Sequence, residues 1–341
     1  MRHRMLLAFA LAVLAVFAAA GSASADVGQA RTGNPSQYDR NASVVTDTTG
    51  VTYLYFARSE SPCNRLDPLT TPGCPDNLGY DIYVKKSLDG GADFGPAVKV
   101  AQNPLGPTAA FRGRTIAATA TGDGVHVFWA DGGNSTFLYH AFKPNGQDTF
   151  TGNPQQMSDI PPDVFNVEAV SIGQRVYVYT QEMQDINARQ YTAAGSALAL
   201  SGGPTTVEGG GVAIPKAIVD VHGGCKMTMI DSGYPQVNDL VDSSADCLNW
   251  PAPAQPVVTV PGSNWDPNLI QKPNGQYYLF YAPDHTSASL TQQVAVTKSN
   301  DFVKWDTPHD LTPGKQGGTP YWDYWPEGFL RDNQVVLFYT S

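Results

Sequence analysis

Six times along the chain, a turn rich in Gly, Asp or Asn leads into a short run of β-branched and aromatic residues. The runs are VTYLYFA (Val51–Ala57), VHVFWA (Val125–Ala130), VYVYT (Val176–Thr180), CKMTMI (Cys225–Ile230), YYLFYA (Tyr277–Ala282) and VVLFYT (Val335–Thr340). Turns such as Thr48-Thr49-Gly50, Gly122-Asp123-Gly124 and Pro273-Asn274-Gly275 precede them. The runs have the composition of strands, and the turns have residues that reverse a chain tightly. A polar-to-apolar strand is expected before each turn, starting near Tyr38, Phe111, Phe165, Ile214, Trp265 and Trp325. Third strands are expected at Asp81–Lys86, Phe137–Phe142 and Gln293–Thr297.

A repeat of roughly 50 residues with several strands per unit is the signature of a β-propeller. The expected fold is all-β: a β-propeller of six blades, or of five in the alternative count, with one tunnel through its centre. Only two strands fit between Tyr321 and Ser341, so residues Asp26–Gln37 are expected to supply a strand that closes the ring without an exposed edge. The Gly-rich stretch between Thr192 and Gly211 reads as a loop inside the domain.

The first 25 residues break this pattern. Arg2 and Arg4 precede an apolar run from Met5 to about Ala20, and Ala23-Ser24-Ala25 follows. A basic start, an apolar centre and a small-residue cleavage site make a secretory signal peptide, residues 1–25. Residues 26–341 then form a single propeller domain, expected to be secreted, extracellular and monomeric, with no membrane span. Taking Arg2 and Arg4 from 21 Lys+Arg leaves 19 against 31 Asp+Glu, a net charge of −12. That balance argues against a nucleic-acid partner, which requires a basic face. Four cysteines in an exported chain imply two disulfides, and the local pairings Cys63–Cys74 and Cys225–Cys247 are expected. Their spacing does not suit zinc.

Two stretches carry a family resemblance. SLDGGADF, with Ser87, Asp89, Gly91 and Phe94, resembles the Asp-box of the sialidase-like (BNR-repeat) propellers, and SNDFVKW, with Ser299, Asp301 and Trp305, is a degenerate copy. In that family the box is a structural turn on the outer face. Arg40 and Arg58, flanking the first hairpin, resemble two arginines of the sialidase carboxylate-binding cluster, since guanidinium groups grip carboxylates bidentately. Towards the C-terminus, NWDPNLIQKPNGQYYLFYA (Asn264–Ala282) and WPEGFLRDNQVVLFYTS (Trp325–Ser341) resemble the furanosidase-type propeller glycosidases. That resemblance implies Asp266 as base or nucleophile and Glu327 as acid.

These resemblances set the functional expectation: a secreted glycoside hydrolase that cuts an extracellular glycan with paired carboxylates at the tunnel mouth. Residues entering the innermost strands face the tunnel, which adds Arg112, Arg114, Asn166, Glu168 and Lys216 to the candidates. Arg40, Arg58, Arg112, Arg114 and Glu168 would bind substrate. Trp265, Tyr321, Trp322 and Trp325 would stack on sugar faces. No cofactor is expected, although the acids leave room for a Ca²⁺ ion in the tunnel. The alternative is a non-catalytic, lectin-like or protein-binding propeller that keeps the Asp-box scaffold.

Overall fold

The computed structural model describes residues 38–59, 81–101, 116–131, 136–231, 238–258, 263–284, 294–311 and 324–340. Blade one is β1 (Tyr38–Thr46), β2 (Thr52–Ser59), β3 (Asp81–Ser87) and β4 (Val98–Ala101). Blade two is β5 (Ile116–Ala120), β6 (Gly124–Asp131), β7 (Phe137–Pro144) and β8 (Gln155–Gln156). Blade three is β9 (Val164–Ile172), β10 (Arg175–Glu182), β11 (Asp185–Ala194) and β12 (Ala197–Glu208). Blade four is β13 (Val212–Val219), β14 (Cys225–Asp231), β15 (Asn238–Ser244) and β16 (Gln255–Val258). Blade five is β17 (Ser263–Gln271), β18 (Tyr277–Asp284), β19 (Ala295–Ser299) and β20 (His309–Asp310). A last sheet contains β21 (Tyr324–Arg331) and β22 (Gln334–Thr340). All six sheets are antiparallel meanders, and the described residues include no helix, hence none that could cross a membrane.

The first strand of each sheet packs against the first strand of the next, and β21 packs against β1, which closes the circle. Five blades are complete. Among the described residues the sixth place is held by a two-stranded sheet, which agrees with the alternative count of five full blades and does not confirm six. Residues 26–37, expected to complete it, lie outside the described residues. Closure is visible instead as packing between the N-terminal and C-terminal sheets.

The second strands are predominantly apolar because both faces of a blade are covered. On β2, Tyr53, Tyr55 and Ala57 face blade two, packing with Ile116, Val127 and Trp129. Leu54 and Phe56 face the other way, onto Val336 and Phe338 of β22. Successive side chains of a strand point to opposite faces, so a strand between two neighbours has no polar positions to spare. Each fully buried large side chain contributes about 1.5–3 kcal/mol from apolar burial.

The stretch read as a loop between Thr192 and Gly211 is mostly strand: β11 runs to Ala194, and β12 spans Ala197–Glu208. β12 is the outermost strand of its blade and its register to β11 slips around Gln190. An edge strand needs partners on one side only, so Gly202, Gly203 and Pro204 are accommodated there.

Three turns between third and fourth strands share one design. Ser87 Oγ donates to Asp89 Oδ1 at 2.6 Å and accepts the Gly91 amide at 2.7 Å. Asp89 Oδ1 also accepts the amides of Ala92 and Asp93. Gly91 has φ +88°, and a Cβ there would fall 2.4 Å from the Phe329 ring, so only glycine fits. Ser299 and Asp301 make a shorter version, with Phe302 in the left-handed position at φ +63°. A third copy, Ser244-Ala245-Asp246-Cys247-Leu248-Asn249-Trp250, has Cys247 there at φ +65°. Sequence inspection misses this copy, although it has the length and the glycine-free pattern of Ser299–Trp305.

Cys247 is bonded to Cys225, stapling the start of β14 to this turn. Cys63 and Cys74 lie outside the described residues. The Cys225–Cys247 bridge spans 22 residues, and its removal by Cys225→Ala/Cys247→Ala should destabilise the protein by about 3 kcal/mol. A urea unfolding series would read this as a lower midpoint, with a steeper slope because the uncrosslinked unfolded chain exposes more surface.

Candidate functional site

Four inner strands break register at the same level, just inside the end of the tunnel where those strands begin. The slips fall between Arg40 and Ser43 in β1, Ala213 and Lys216 in β13, Trp265 and Asn268 in β17, and Tyr324 and Glu327 in β21. Each slip sets two residues opposite one, and in the last three the second of the two is a proline: Pro215, Pro267 or Pro326. Proline donates no N–H to a ladder and so belongs in a bulge. Ile214 and Asp266, each preceding one of these prolines, have φ of +53° and +56°. Such backbone costs of order 1–3 kcal/mol for a non-glycine residue and clusters at functional sites. A bulge re-aims the side chain that follows it. Here those residues are Ser43, Lys216, Asn268 and Glu327, all buried.

Glu327 stands at the centre of the resulting cluster. Its Oε2 accepts Lys216 Nζ at 3.0 Å and Asn268 Nδ2 at 2.9 Å, and its Oε1 accepts the Val44 amide at 3.3 Å. Asn268 Oδ1 in turn accepts the Gly328 amide at 3.1 Å, which fixes which way its amide faces. Lys216 Nζ also lies 3.3 Å from Glu168 Oε2, reaching over from β13 to β9. Glu168 Oε1 accepts the amide of Ala169 at 2.9 Å. Five inner strands (β1, β9, β13, β17 and β21) therefore meet through one lysine, one asparagine, two carboxyl groups and one backbone amide.

Burial shapes the electrostatics. Glu168 is pushed up to about 7, first by desolvation and then by Glu327, with Lys216 pulling the other way. Burial alone would lower Lys216, but Glu327 and Glu168 together hold it above the usual lysine range. Nearer the tunnel entrance, Asp239 of β15 is completely buried, and neither of its carboxyl oxygens has a hydrogen-bond partner. Desolvation, followed by the charge of Asp266 on the neighbouring blade, raises Asp239 well above the carboxylate range.

Of the residues singled out in the sequence, Glu327, Glu168 and Lys216 come together. Asp266 is buried in the β17 bulge on the Asp239 side of the cluster. Arg58 lies on β2, its guanidinium 5.0 and 4.9 Å from the ring centres of Phe56 and Tyr83, on the face of blade one that meets β22. Asn166 hydrogen-bonds Gln181, on blade three. Arg40, Trp265 and Trp325 lie on β1, β17 and β21, but their side chains are outside what the structure describes, as are Arg112, Arg114, Tyr321 and Trp322. Asn268 and Asp239 were missed. A signal for Asn268 existed in the recurring x-Pro-polar triplet: Ile214-Pro215-Lys216, Asp266-Pro267-Asn268 and Trp325-Pro326-Glu327. Asp239 sits on a third strand, and no sequence rule marks it.

Among the described residues, no group of three or more His, Cys, Asp or Glu side chains is arranged to hold a metal ion. A cleft of about 260 Å³ opens at the opposite end of the tunnel, lined mainly by Ile218, Val221, Leu269, Ile270 and Leu330, with Gln271 as its polar side chain. It carries no titratable group.

Similarity searches of solved structures return β-propellers. A microbial sialidase (Hadza Hz136) superposes with a TM-score of 0.58 at 13% identity, covering 89% of this chain and 63% of its own. A protein of unknown function from Dyadobacter fermentans gives 0.63 at 15% identity, covering 89% and 90%. An α-L-arabinanase from Penicillium chrysogenum, complexed with arabinobiose, gives 0.54 at 11% identity, covering 88% of each chain. The fold is one that sialidases and an arabinanase share. The chain spans less than two thirds of the sialidase's length. No family model and no curated protein sequence matches it.

Removing the one cation that the described residues place in this cluster should be costly. Lys216→Met leaves two buried carboxyl groups without their counter-charge and is expected to destabilise the fold by about 3–5 kcal/mol, measured by chemical denaturation. Asp239→Asn should act in the opposite direction. A raised carboxyl pKa means that stability is complete below the unfolded value and is lost as pH rises above it. The variant should therefore melt higher than the wild type at pH 8, with the difference vanishing near pH 3.

Proposed function

We propose that the protein is a secreted, glycan-active β-propeller that hydrolyses glycosidic bonds at the end of the tunnel where the bulges lie. The observation that carries this reading is the convergence of Glu168, Lys216 and Glu327, with Asp266 close to the entrance, from the bulged inner strands. Glycoside hydrolysis requires carboxyl groups in unlike environments, one keeping a proton and another accepting one. The fold shared with a sialidase and an arabinanase supports a glycan as substrate. Asp266 is the base or nucleophile. Glu327 belongs to the same machinery, and its three donor contacts suit a fixed anion that organises Lys216 and Asn268. Arg40, Arg112, Arg114, Trp265, Tyr321, Trp322 and Trp325 would contact sugar from the entrance. Arg58, which lies beside the rings of Phe56 and Tyr83, would likewise bind substrate.

The Ser87, Ser244 and Ser299 turns are read as Asp-boxes, structural and remote from chemistry. The leader-like residues 1–25 and the Cys225–Cys247 bridge support export to an oxidising compartment, and the mature protein is taken to be a monomer.

One observation favours a second reading, a lectin-like propeller without catalysis. The buried charges of the tunnel satisfy one another, as they would if their role were to hold the blades together. A panel of chromogenic glycosides and polysaccharides, assayed with the mature protein and with Glu327→Gln, separates the two. Hydrolysis is expected for the wild type, falling about 10²–10³-fold in the variant through loss of electrostatic organisation. Binding to one glycan with no turnover of any would establish the lectin-like reading instead.

A further inference from the structure

The two glutamates of the cluster are unequally supplied with donors. Glu327 accepts three, from Lys216, Asn268 and the Val44 amide. Glu168 accepts the Ala169 amide on Oε1, and its Oε2 has only the longer 3.3 Å contact to Lys216. A single ammonium serves two carboxyl groups, and each of the three residues is 8% exposed, so water does little to spread the charge. Among the described residues, the groups facing Glu168 are few. Lys216 comes from β13 and Glu327 from β21, while Tyr179 of β10 has its hydroxyl committed to the Cys247 carbonyl at 2.8 Å. The described part of β5, IAATA, offers no charged side chain.

We propose that Glu168, and not Glu327, is the proton donor of the site: a carboxylic acid held beside a fixed Lys216–Glu327 ion pair. This rests on the hydrolytic reading above. Its elevation to about 7 by burial and by Glu327 agrees with the donor count, because such a group still carries a proton at the pH where Asp266 is to work. In the step, Glu168 passes its proton to the glycosidic oxygen as the bond from that oxygen to the anomeric carbon breaks. Water adds its oxygen to the anomeric carbon and gives a proton to the Asp266 carboxylate. Return of that proton to Glu168 through solvent completes the cycle, with one water consumed per bond cleaved.

The test exploits leaving groups. A dinitrophenyl glycoside departs without protonation, whereas an alkyl glycoside or the natural glycan requires an acid. Wild type and Glu168→Gln are compared on both kinds of substrate from pH 4 to 9, once a hydrolysed sugar is known. For the wild type, kcat/KM on the poor leaving group should fall above about pH 7. Glu168→Gln should lose about 10²–10⁴-fold on that substrate. It should lose less than about tenfold on the dinitrophenyl glycoside, with the alkaline limb gone.

Equal losses on both substrates, or an unchanged alkaline limb, would overturn the assignment and leave hydrolysis standing. Absence of any wild-type hydrolysis would overturn the hydrolytic reading itself, and the assignment with it. Glutamine mimics the protonated carboxyl in shape and charge, so the variant should fold. Should it not, Glu168→Asp keeps an acid in a shifted position and should move the alkaline limb of the poor-leaving-group profile. A limb that stays in place would count against Glu168.

Discussion

A blade with two apolar faces can hide both only between two neighbours, and the last blade can find its second neighbour only in the first. This closure requirement governs the rest of the molecule. It explains why β2, β6, β10, β14 and β18 are apolar on both sides, and why the core is divided into seams between adjacent blades instead of one central mass. It also leaves the axis of the ring as the one place where inner strands meet edge to edge. There Glu168, Lys216, Asn268 and Glu327 collect and satisfy one another, while other buried charges pair between blades, as Lys143 does with Asp47.

The bulges convert this architecture into a site. An unbroken inner strand would turn alternate residues to the two seams. One extra residue, in a bulged pair ending in proline, interrupts that alternation and re-aims the next side chain. The same device on β13, β17 and β21 brings Lys216, Asn268 and Glu327 together. Chemistry and backbone irregularity therefore coincide, as expected where local strain is tolerated because the surroundings over-determine it.

Much of the fold was legible in the sequence because it rests on short-range signals: a turn, then an apolar run, repeated. Strand positions such as β3, β7 and β19 follow from those signals alone. What misled was composition without context. Gly202-Gly203-Pro204 reads as a breaker, yet an edge strand tolerates it. Ser244–Trp250 has no glycine, yet Cys247 takes the left-handed position. The site was legible in part. Glu327 and Glu168 could be nominated as polar residues entering inner strands, but their shared lysine and the Asn268 contact depend on how neighbouring strands register across the tunnel. Asp239 lies nearly 30 residues from Asp266 in sequence and reaches it only because adjacent blades stack. Arg58, expected from its place beside a strand end to bind ligand, lies against the rings of Phe56 and Tyr83.

Glu327 and Gly328 also lie on the sheet with the fewest strands. The Asn268 side chain bridges to both, and Ile270 sits so close to Gly328 that a methyl group there would fall 2.1 Å from its Cδ1. The groups assigned to substrate thus also act as the rivets of the weakest segment of the ring. Occupancy of the tunnel and cohesion of β21 become a single thermodynamic quantity: a ligand that engages Glu327 must either borrow its donors or add to them. The first loosens the segment between blades five and one, and the second tightens it, so ligand binding would register as a change in how readily the circle opens.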